Sequence, residues 1–308
     1  MKKKILITTK GAFIAKNSIK NIFSENYEYI FTNKIVTDKD ELKSLLSDVS
    51  AVIIGSEILD SEILSAANKL EIIVRFGGGF SNIDLNYAAK NKIKVQEIKC
   101  DEVSKDTSIL AFGLFVAYLF NFKKHFNEAD RDIWERRANI STAGSIGIIG
   151  SGKVALSLAA GLRSFGFQVK YWSRNSKNTF DKIGCFYSKS ISNLINDSFG
   201  IFLAISLTPE TKNIINSDLL RKMKGKILIN TSRGDLVSEK DILEALDNGY
   251  LDAYLTDVTS KEPPSELSLE LRRHKKVIST PHIGGYSINN LINVLESGLE
   301  FIHIQFNS

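Results

Sequence analysis

Three side chains that could carry acid–base chemistry each stand just past a short β-branched run. Arg233 follows "KILIN" (226–230), Glu262 lies beyond "AYLTDV" (253–258), and His282 follows "VISTP" (277–281). A guanidinium is always charged, and its planar fork suits a carboxylate or a carbonyl next to one. An imidazole with a carboxylate partner has a fixed tautomer and can exchange a proton near neutral pH. The three residues therefore predict a site that binds a small acid and moves a proton.

A glycine pair lies upstream of these residues, in the segment "GSIGIIGSGKVALSLAAGLRSFGFQVKYWSR" (144–174). The segment has the order strand, Gly-x-Gly, helix, strand. Gly150 permits a tight turn, Gly152 lets the backbone approach a pyrophosphate, and the amides of Lys153 and Val154 begin a helix whose N-terminus favours an anion. Ala155 replaces the usual third glycine, a change that still allows the helix to pack on the strand. This arrangement predicts dinucleotide binding, and the alternative is a purely structural glycine turn.

The nucleotide itself is indicated by "YWSRN" (171–175), which ends the next predicted strand. A carboxylate normally binds the adenosine ribose of NAD at this place. The chain has Ser173 and Arg174 there instead. The arginine could bind a 2′-phosphate through two hydrogen bonds, and the serine could donate a further hydrogen bond to it. We therefore predict NADP(H) in preference to NAD(H). The alternative is a surface arginine with relaxed NAD binding.

Short β-branched runs alternate with helical patterns, which is typical of parallel α/β layers. The predicted strands form two successive sets: 4–9, 51–55, 71–76 and 93–95, then 145–150, 168–173, 200–205, 226–230, 253–258 and 277–281. A long apolar helix (107–122) connects the sets, and a last helical stretch (287–304) could pack back onto the first. We expect one domain from residues 1–100 and 286–308 and a nucleotide domain from 101–285. Ligands in such sheets bind at the carboxyl ends of the strands.

Composition excludes several other classes of protein. The 308 residues are 43% hydrophobic and 24% charged, with a formal net charge of +5 that is spread among acidic residues. This predicts neither nucleic-acid binding nor membrane insertion, since the longest apolar run (109–120) is too short to span a bilayer. Cys100 and Cys185 form no disulfide framework and no metal motif, and no signal peptide pattern precedes the first strand. We therefore expect a cytoplasmic protein without a metal site.

The ordered motifs G-x-G, "NTSRG", "DVTSKEP" and "TPHIGG" resemble those of the D-isomer-specific 2-hydroxyacid dehydrogenase family. This group contains phosphoglycerate, formate and D-lactate dehydrogenases and the glyoxylate/hydroxypyruvate reductases. The resemblance runs from about residue 50 to residue 287. It implies an α/β fold of two Rossmann-like domains, namely a flavodoxin-like substrate domain and an NAD(P)-binding doubly wound parallel sheet, with an interdomain cleft. It also implies a homodimer and assigns catalysis to Arg233, Glu262 and His282.

The resemblance assigns further binding residues. "RFGGGFSNID" (75–84) resembles the glycine loop whose amides hold the substrate carboxylate, a role that falls to Gly78 and Gly79 together with Arg233. The remaining positions belong to the cofactor: Leu207 and Thr208 beside the adenosine, Thr231 in a strand-end loop, Asp257 at the nicotinamide carboxamide, and Thr107 at the pyrophosphate.

The chain departs from the family pattern in two places. Residues 103–107 read Val-Ser-Lys-Asp-Thr where the family commonly has Val-Ala-Glu-His-Thr, and the preceding segment "QEIKCDE" (96–102) is shorter and lacks the customary proline. The loop after Trp134, within 132–147, is also shortened. The first departure borders the predicted active site and the domain hinge, so it bears on substrate range and on closure.

The resemblance thus implies an oxidoreductase that interconverts a small 2-keto acid and its D-2-hydroxy acid with a nicotinamide cofactor. One alternative is a non-catalytic NAD(P)-binding sensor of the same fold. Another is a related dehydrogenase acting on a phosphorylated or sugar-derived acid. The sequence does not select the 2-keto acid or the direction of the reaction.

Overall fold

The computed structural model describes residues 2–19, 22–76, 79–80, 82–98, 101–129 and 144–308, with the backbone alone for 101–102 and 127–129. The chain divides into two compact units. Unit one comprises Met1–Val103 and Gly285–Ser308, and unit two comprises Ser104–Gly284. Each unit is built on a parallel sheet flanked by helices. The predicted class of two α/β domains is therefore confirmed.

Unit one holds a five-stranded parallel sheet in the order β2-β1-β3-β4-β5, which is the flavodoxin-like order. Its strands are β1 (Lys3–Ile7), β2 (Tyr27–Phe31), β3 (Ala51–Ile54), β4 (Ile72–Phe76) and β5 (Lys94–Ile98). Strand β2 was not predicted. It lies at the sheet edge, where its residues are only partly buried, so its sequence "YEYIF" lacks the continuous apolar run of an inner strand.

The helices of unit one are α1 (Lys10–Ala15), α2 (Lys39–Leu46), α3 (Ser61–Ala66), α4 (Leu85–Lys90) and, at the far end of the chain, α13 (Ile288–Asn307). An aspartate caps each of α2, α3 and α4 by accepting a hydrogen bond from a backbone N–H of the first turn. The apolar face of α13 is buried in the same cluster as Ile5, Ile53 and Val74, through Leu291, Leu295, Leu299 and Ile302. Unit one is therefore completed by the last helix of the chain.

Unit two holds a seven-stranded parallel sheet in the order β12-β11-β10-β9-β6-β7-β8. Its strands are β6 (Ser145–Ile149), β7 (Gln168–Trp172), β8 (Phe186–Tyr187), β9 (Ser198–Leu203), β10 (Ile227–Asn230), β11 (Ala253–Thr256) and β12 (Val277–Ser279). Counted from β6, this is the doubly wound dinucleotide-binding order 3-2-1-4-5-6 with one strand added. The strand order reverses between β6 and β9, and ligands of such sheets bind at that point.

The connecting helices are α5 (Asp101–Leu119), in which the chain passes from unit one to unit two, α6 (Phe122–Ala129), α7 (Lys153–Ser164), α8 (Asn178–Lys182), α9 (Ile191–Asn196), α10 (Ser217–Leu220), α11 (Glu239–Asp247) and α12 (Glu266–Arg273). Several strands end earlier than predicted. Strand β11 stops at Thr256, so Asp257 and Val258 belong to the loop that follows it. This places Asp257 among the strand-end loops that carry the candidate site.

Within the part of the chain that the structure describes, no helix combines the length and the apolar character needed to cross a membrane.

Candidate active site

The turn that carries Arg233 is fixed by the side chain of Asn230, the last residue of β10. Asn230 is fully buried; its Nδ2 donates to the carbonyl oxygen of Arg233 at 2.9 Å, and its Oδ1 accepts from the amide of Ser232 at 3.1 Å. The Ser232 hydroxyl donates to the carbonyl of Leu203 on the neighbouring strand β9 at 2.8 Å. These bonds hold the backbone rigidly while the Arg233 side chain stays exposed. The positioning role of Asn230 was missed, although it opens the motif "NTSRG".

Gly234 brings the Arg233 turn directly against the loop that carries Glu262. A Cβ atom placed on Gly234 would lie 2.2 Å from the carbonyl carbon of Thr259 and 2.4 Å from the amide nitrogen of Ser260. Backbone cannot move aside as a flexible side chain can. A residue without a side chain is therefore required at this position to keep the two loops in contact.

Glu262 and His282 form a hydrogen-bonded pair. Glu262 Oε2 lies 2.6 Å from His282 Nδ1, and the two side chains are 37% and 44% exposed. Burial pushes the pKa of Glu262 up, but the hydrogen bond and charge of His282, with a further contribution from Arg233, hold this pKa below its usual value. The charge of Arg233 thus reaches the Glu262 carboxylate. The structure brings the three predicted catalytic residues together within unit two. The hydrogen bond to Glu262 uses Nδ1 of His282, so Nε2 is the ring nitrogen that does not contact Glu262.

The backbone of His282 adopts the left-handed conformation, with φ of 56°, which is unusual for a residue with a side chain. Asp257 supports it. The Asp257 carbonyl accepts from the His282 amide at 2.8 Å, and its carboxylate, which is 2% exposed, accepts from the amides of Ile283 and Gly284, each at 2.8 Å. The Thr280 hydroxyl donates to the same carboxylate at 2.5 Å. Asp257 therefore positions the histidine loop, and its contact with the nicotinamide carboxamide stays a prediction.

The glycine pair after β6 forms a cradle at the point where the strand order reverses. Gly150 has φ of +130°, and a Cβ there would lie 1.9 Å from the carbonyl oxygen of Ala204, so only glycine fits. Gly152 caps α7 and has no described atom within 4 Å of its Cβ position. The N-terminus of α7, which starts at Lys153 and Val154, has no side-chain cap and no acidic residue in its first turn. A pyrophosphate fits these features, because it would accept from the uncapped amides.

Ser173 and Arg174 follow β7, and the structure changes the predicted role of the serine. The Ser173 hydroxyl is buried and donates to the carbonyl of Asn175 at 2.6 Å, so its hydrogen is used within the turn. Arg174 is exposed. Its positive charge contributes to a lowered pKa of Glu210, behind the larger effect of a hydrogen bond from Thr208. The stretch "YWSRN" contains no carboxylate, but the Glu210 carboxylate, from another part of the chain, interacts with the charge of Arg174.

The other predicted cofactor residues of unit two follow strands β9 and β10, except Thr107, which lies in helix α5. Leu207 is 39% exposed, and the Thr208 amide donates to the Thr211 hydroxyl at 2.7 Å. Thr231 is buried directly after β10. The Thr107 hydroxyl donates to the carbonyl of Gly284 at 3.0 Å, which ties the start of α5 to the histidine loop. Contacts of these residues with a nucleotide stay predictions.

In unit one, the predicted substrate-binding glycines follow β4. Gly78 lies outside the described residues. Gly79 has φ of +81°, and its amide donates to the side chain of Glu97 on β5 at 2.7 Å. Among the residues that the structure describes, no group of three or more His, Cys, Asp or Glu side chains could hold a metal ion.

Known proteins are similar in sequence to both units of this chain. The family model described as "D-isomer specific 2-hydroxyacid dehydrogenase, NAD binding domain" matches residues 112–284, and the model of the "catalytic domain" of the same family matches residues 5–103. The chain is 31% identical over 300 residues to a glyoxylate reductase of Thermococcus kodakarensis, covering 92% of this chain and 87% of the relative. It is 30% identical over 303 residues to a glyoxylate reductase of Pyrococcus horikoshii, covering 93% and 88%.

Among solved structures, the fold matches apo D-lactate dehydrogenase from Escherichia coli with a TM-score of 0.89 and 19% identity, covering 99% of this chain and 97% of that one. At this identity the likeness speaks for the fold alone. The family models together span both units, and their match confirms the resemblance drawn from the four motifs. The chain belongs to the D-isomer specific 2-hydroxyacid dehydrogenase family, and it is an oxidoreductase with a nicotinamide-cofactor-binding domain.

Proposed function

We propose that the protein reduces a small 2-keto acid to the corresponding D-2-hydroxy acid, or catalyses the reverse reaction, with His282 as the acid–base residue. The observation that carries this proposal is the 2.6 Å pair of His282 Nδ1 and Glu262 Oε2 beside the Arg233 turn. The nicotinamide cofactor, when bound, supplies the hydride that the side chains cannot. In the reductive direction protonated His282 gives a proton from Nε2 to the substrate's carbonyl oxygen, and Glu262 holds the ring and stabilises its charge.

Arg233 orients the substrate and stabilises the negative charge that develops on it, because its guanidinium stays charged at every working pH. The amides of Gly78 and Gly79 in unit one are proposed to hold the substrate carboxylate. The cofactor's pyrophosphate would be held by the Gly150–Gly152 turn and the first amides of α7. This is supported by the start of α7, where no side chain caps the helix.

The test of this function is an assay of the purified protein with NADPH or NADH and, in turn, glyoxylate, hydroxypyruvate and pyruvate. Glyoxylate comes first because the two relatives named above are called glyoxylate reductases. Oxidation of the cofactor by any of the three acids supports the proposal. Cofactor binding without turnover of any 2-keto acid would favour a non-catalytic sensor instead.

We further propose that Arg174 gives NADP(H) preference over NAD(H). Replacing Arg174 with Ala is expected to raise the Kd for NADPH about 10- to 100-fold, since a hydrogen-bonded charge is typically worth ~1.5–3 kcal/mol. The Kd for NADH should change less than about threefold. Nicotinamide fluorescence titrations measure both constants.

Arg221→Ala is a matched control, because Arg221 is also an exposed arginine of unit two and pairs with Asp218 at 2.8 Å. Glu210→Gln should tighten NADPH, since it removes a negative charge from the surroundings of Arg174. Tighter binding of NADH than of NADPH by the unaltered protein, with no response to Arg174→Ala, would refute the preference.

We also propose a homodimer and a cytoplasmic location. Exposed apolar side chains of unit two support the dimer: Ile109 on α5 is 58% exposed, and Phe165, which stacks on Phe112 with ring centroids 5.0 Å apart, is 68% exposed. Such residues are typical of surfaces that another protein covers. The low cysteine content supports a reducing compartment.

We expect sedimentation velocity at micromolar concentration to give the mass of two chains, and Phe165→Asp to shift the protein toward one chain. Phe186→Asp is the control, because Phe186 is 59% exposed on the edge strand β8. A single-chain mass for the unaltered protein would contradict the dimer.

A further inference from the structure

The amide of Gly79, proposed above to bind the substrate's carboxylate, donates to a carboxylate of the protein itself. Glu97 Oε1 lies 2.7 Å from the Gly79 nitrogen. Gly79 follows β4, and Glu97 lies on β5, which pairs with β4 in parallel register. The contact therefore joins the segment after β4 to strand β5 at the carboxyl end of the sheet, where ligands of such sheets bind.

We propose that Glu97 is a built-in competitor of the substrate's carboxylate and thereby determines the affinity of the enzyme for 2-keto acids. This inference rests on the proposed function. A backbone amide carries one hydrogen, and a charged acceptor is its strongest partner. A substrate carboxylate can take this amide only after the Glu97 side chain has moved away from it, and the two negative charges repel each other at close range.

Glu97 is placed so that it can be displaced. Its side chain is half-buried and lines a recess of about 520 Å³ together with Phe80, Val95, Gln96, Ile98 and Ser297. Glu57, which binds the Gly55 amide at 2.7 Å after β3, differs because it is only 2% exposed. Release of Glu57 would disturb buried structure, whereas Glu97 has open space beside it.

Glu97 also lies in a segment of the sequence to which the proposed reaction assigns no role. Glu97 lies in "QEIKCDE" (96–102), the shortened segment that lacks the proline customary in the family. A carboxylate of this segment thus lies on the amide that the resemblance assigns to the substrate.

The experiment is a calorimetric titration of the protein–NADPH complex with oxamate, a carboxylate that resembles a 2-keto acid and is not reduced. Glu97→Ala frees the Gly79 amide, and we expect about tenfold tighter oxamate binding, the size of one hydrogen bond to a charged group. Glu97→Gln keeps an acceptor but removes the charge, so its gain should be smaller. The neutral ester ethyl oxamate should bind all variants alike, and KM for glyoxylate should fall without a change in kcat.

Glu71→Gln is the matched control, because Glu71 precedes β4 at the opposite end of the same sheet and pairs with Lys3 at 2.9 Å. Melting temperatures show whether each variant is folded. Equal oxamate affinity in all variants, or weaker binding by Glu97→Ala, would overturn the inference about Glu97. If the protein still turns over glyoxylate in that case, the proposed function stands. Absence of oxamate binding and of turnover in every variant would overturn both.

Discussion

Replacing His282 with Gln is expected to lower kcat by about 10²- to 10⁴-fold, the range that general acid–base catalysis typically supplies. Glutamine keeps a polar side chain of similar reach but cannot deliver a proton. The Kd for NADPH should stay within about threefold of the unaltered value, since the predicted nucleotide cradle at Gly150 and α7 involves no contact with His282. Stopped-flow or steady-state absorbance with glyoxylate measures kcat, and fluorescence titration measures Kd.

The chain offers a matched control for this change. His274 Nε2 lies 3.3 Å from Asp247 Oδ1, so it forms a second histidine–carboxylate pair within unit two, at the end of α12. His274→Gln should leave kcat unchanged. A His282→Gln enzyme that turns over normally would show that another group moves the proton.

Replacing Gly234 with Ala is expected to reduce kcat/KM by about 100-fold, because misplacing a reacting group by about 1 Å can cost that much. The added methyl would lie 2.2 Å from the Thr259 carbonyl carbon, which is far inside van der Waals contact, so the Arg233 turn and the Glu262 loop must separate. The steady-state ratio kcat/KM with glyoxylate measures the loss. The Kd for NADPH should change little, since Gly150 and α7 are not involved.

Gly161→Ala introduces the same methyl group into α7, where no described atom lies within 4 Å of the Cβ position. This control should keep full activity and raise the melting temperature slightly, because alanine favours a helix more than glycine does. A Gly234→Ala enzyme with unchanged kcat/KM would mean that the contact between the two loops does not position the catalytic groups.

The fold was predictable because inner parallel strands have a strong sequence pattern. Strand β3 reads "AVII" and all four residues are buried, so burial on both faces appears as an unbroken apolar run. The edge strands β2 and β8 contain exposed residues and lack this pattern, which is why they were missed. The three candidate catalytic residues could be named because each lies in the loop that follows a predicted strand of unit two, namely β10, β11 or β12.

The supporting contacts of the site could not be predicted in the same way. Asp257 binds the amide of Gly284, 27 residues further on, and Gly79 binds Glu97, 18 residues further on. Such partners are set by how strand-end loops meet in three dimensions, and no periodicity of the sequence encodes them. The Ser173 hydroxyl was predicted to donate a hydrogen bond to the cofactor. In the structure it donates to the carbonyl of Asn175 within its own turn, a contact that the sequence pattern did not indicate.

The division of unit one between the two ends of the chain has a consequence for synthesis on the ribosome. Unit two, Ser104–Gly284, is contiguous and can complete its core as soon as it has emerged. The sheet of unit one emerges first but must wait for α13, which brings Leu291, Leu295 and Leu299 against Ile5 and Val74. During translation the unit that is made first is therefore finished last, and its apolar strands lack part of their cover, and so are prone to aggregation, until α13 has emerged.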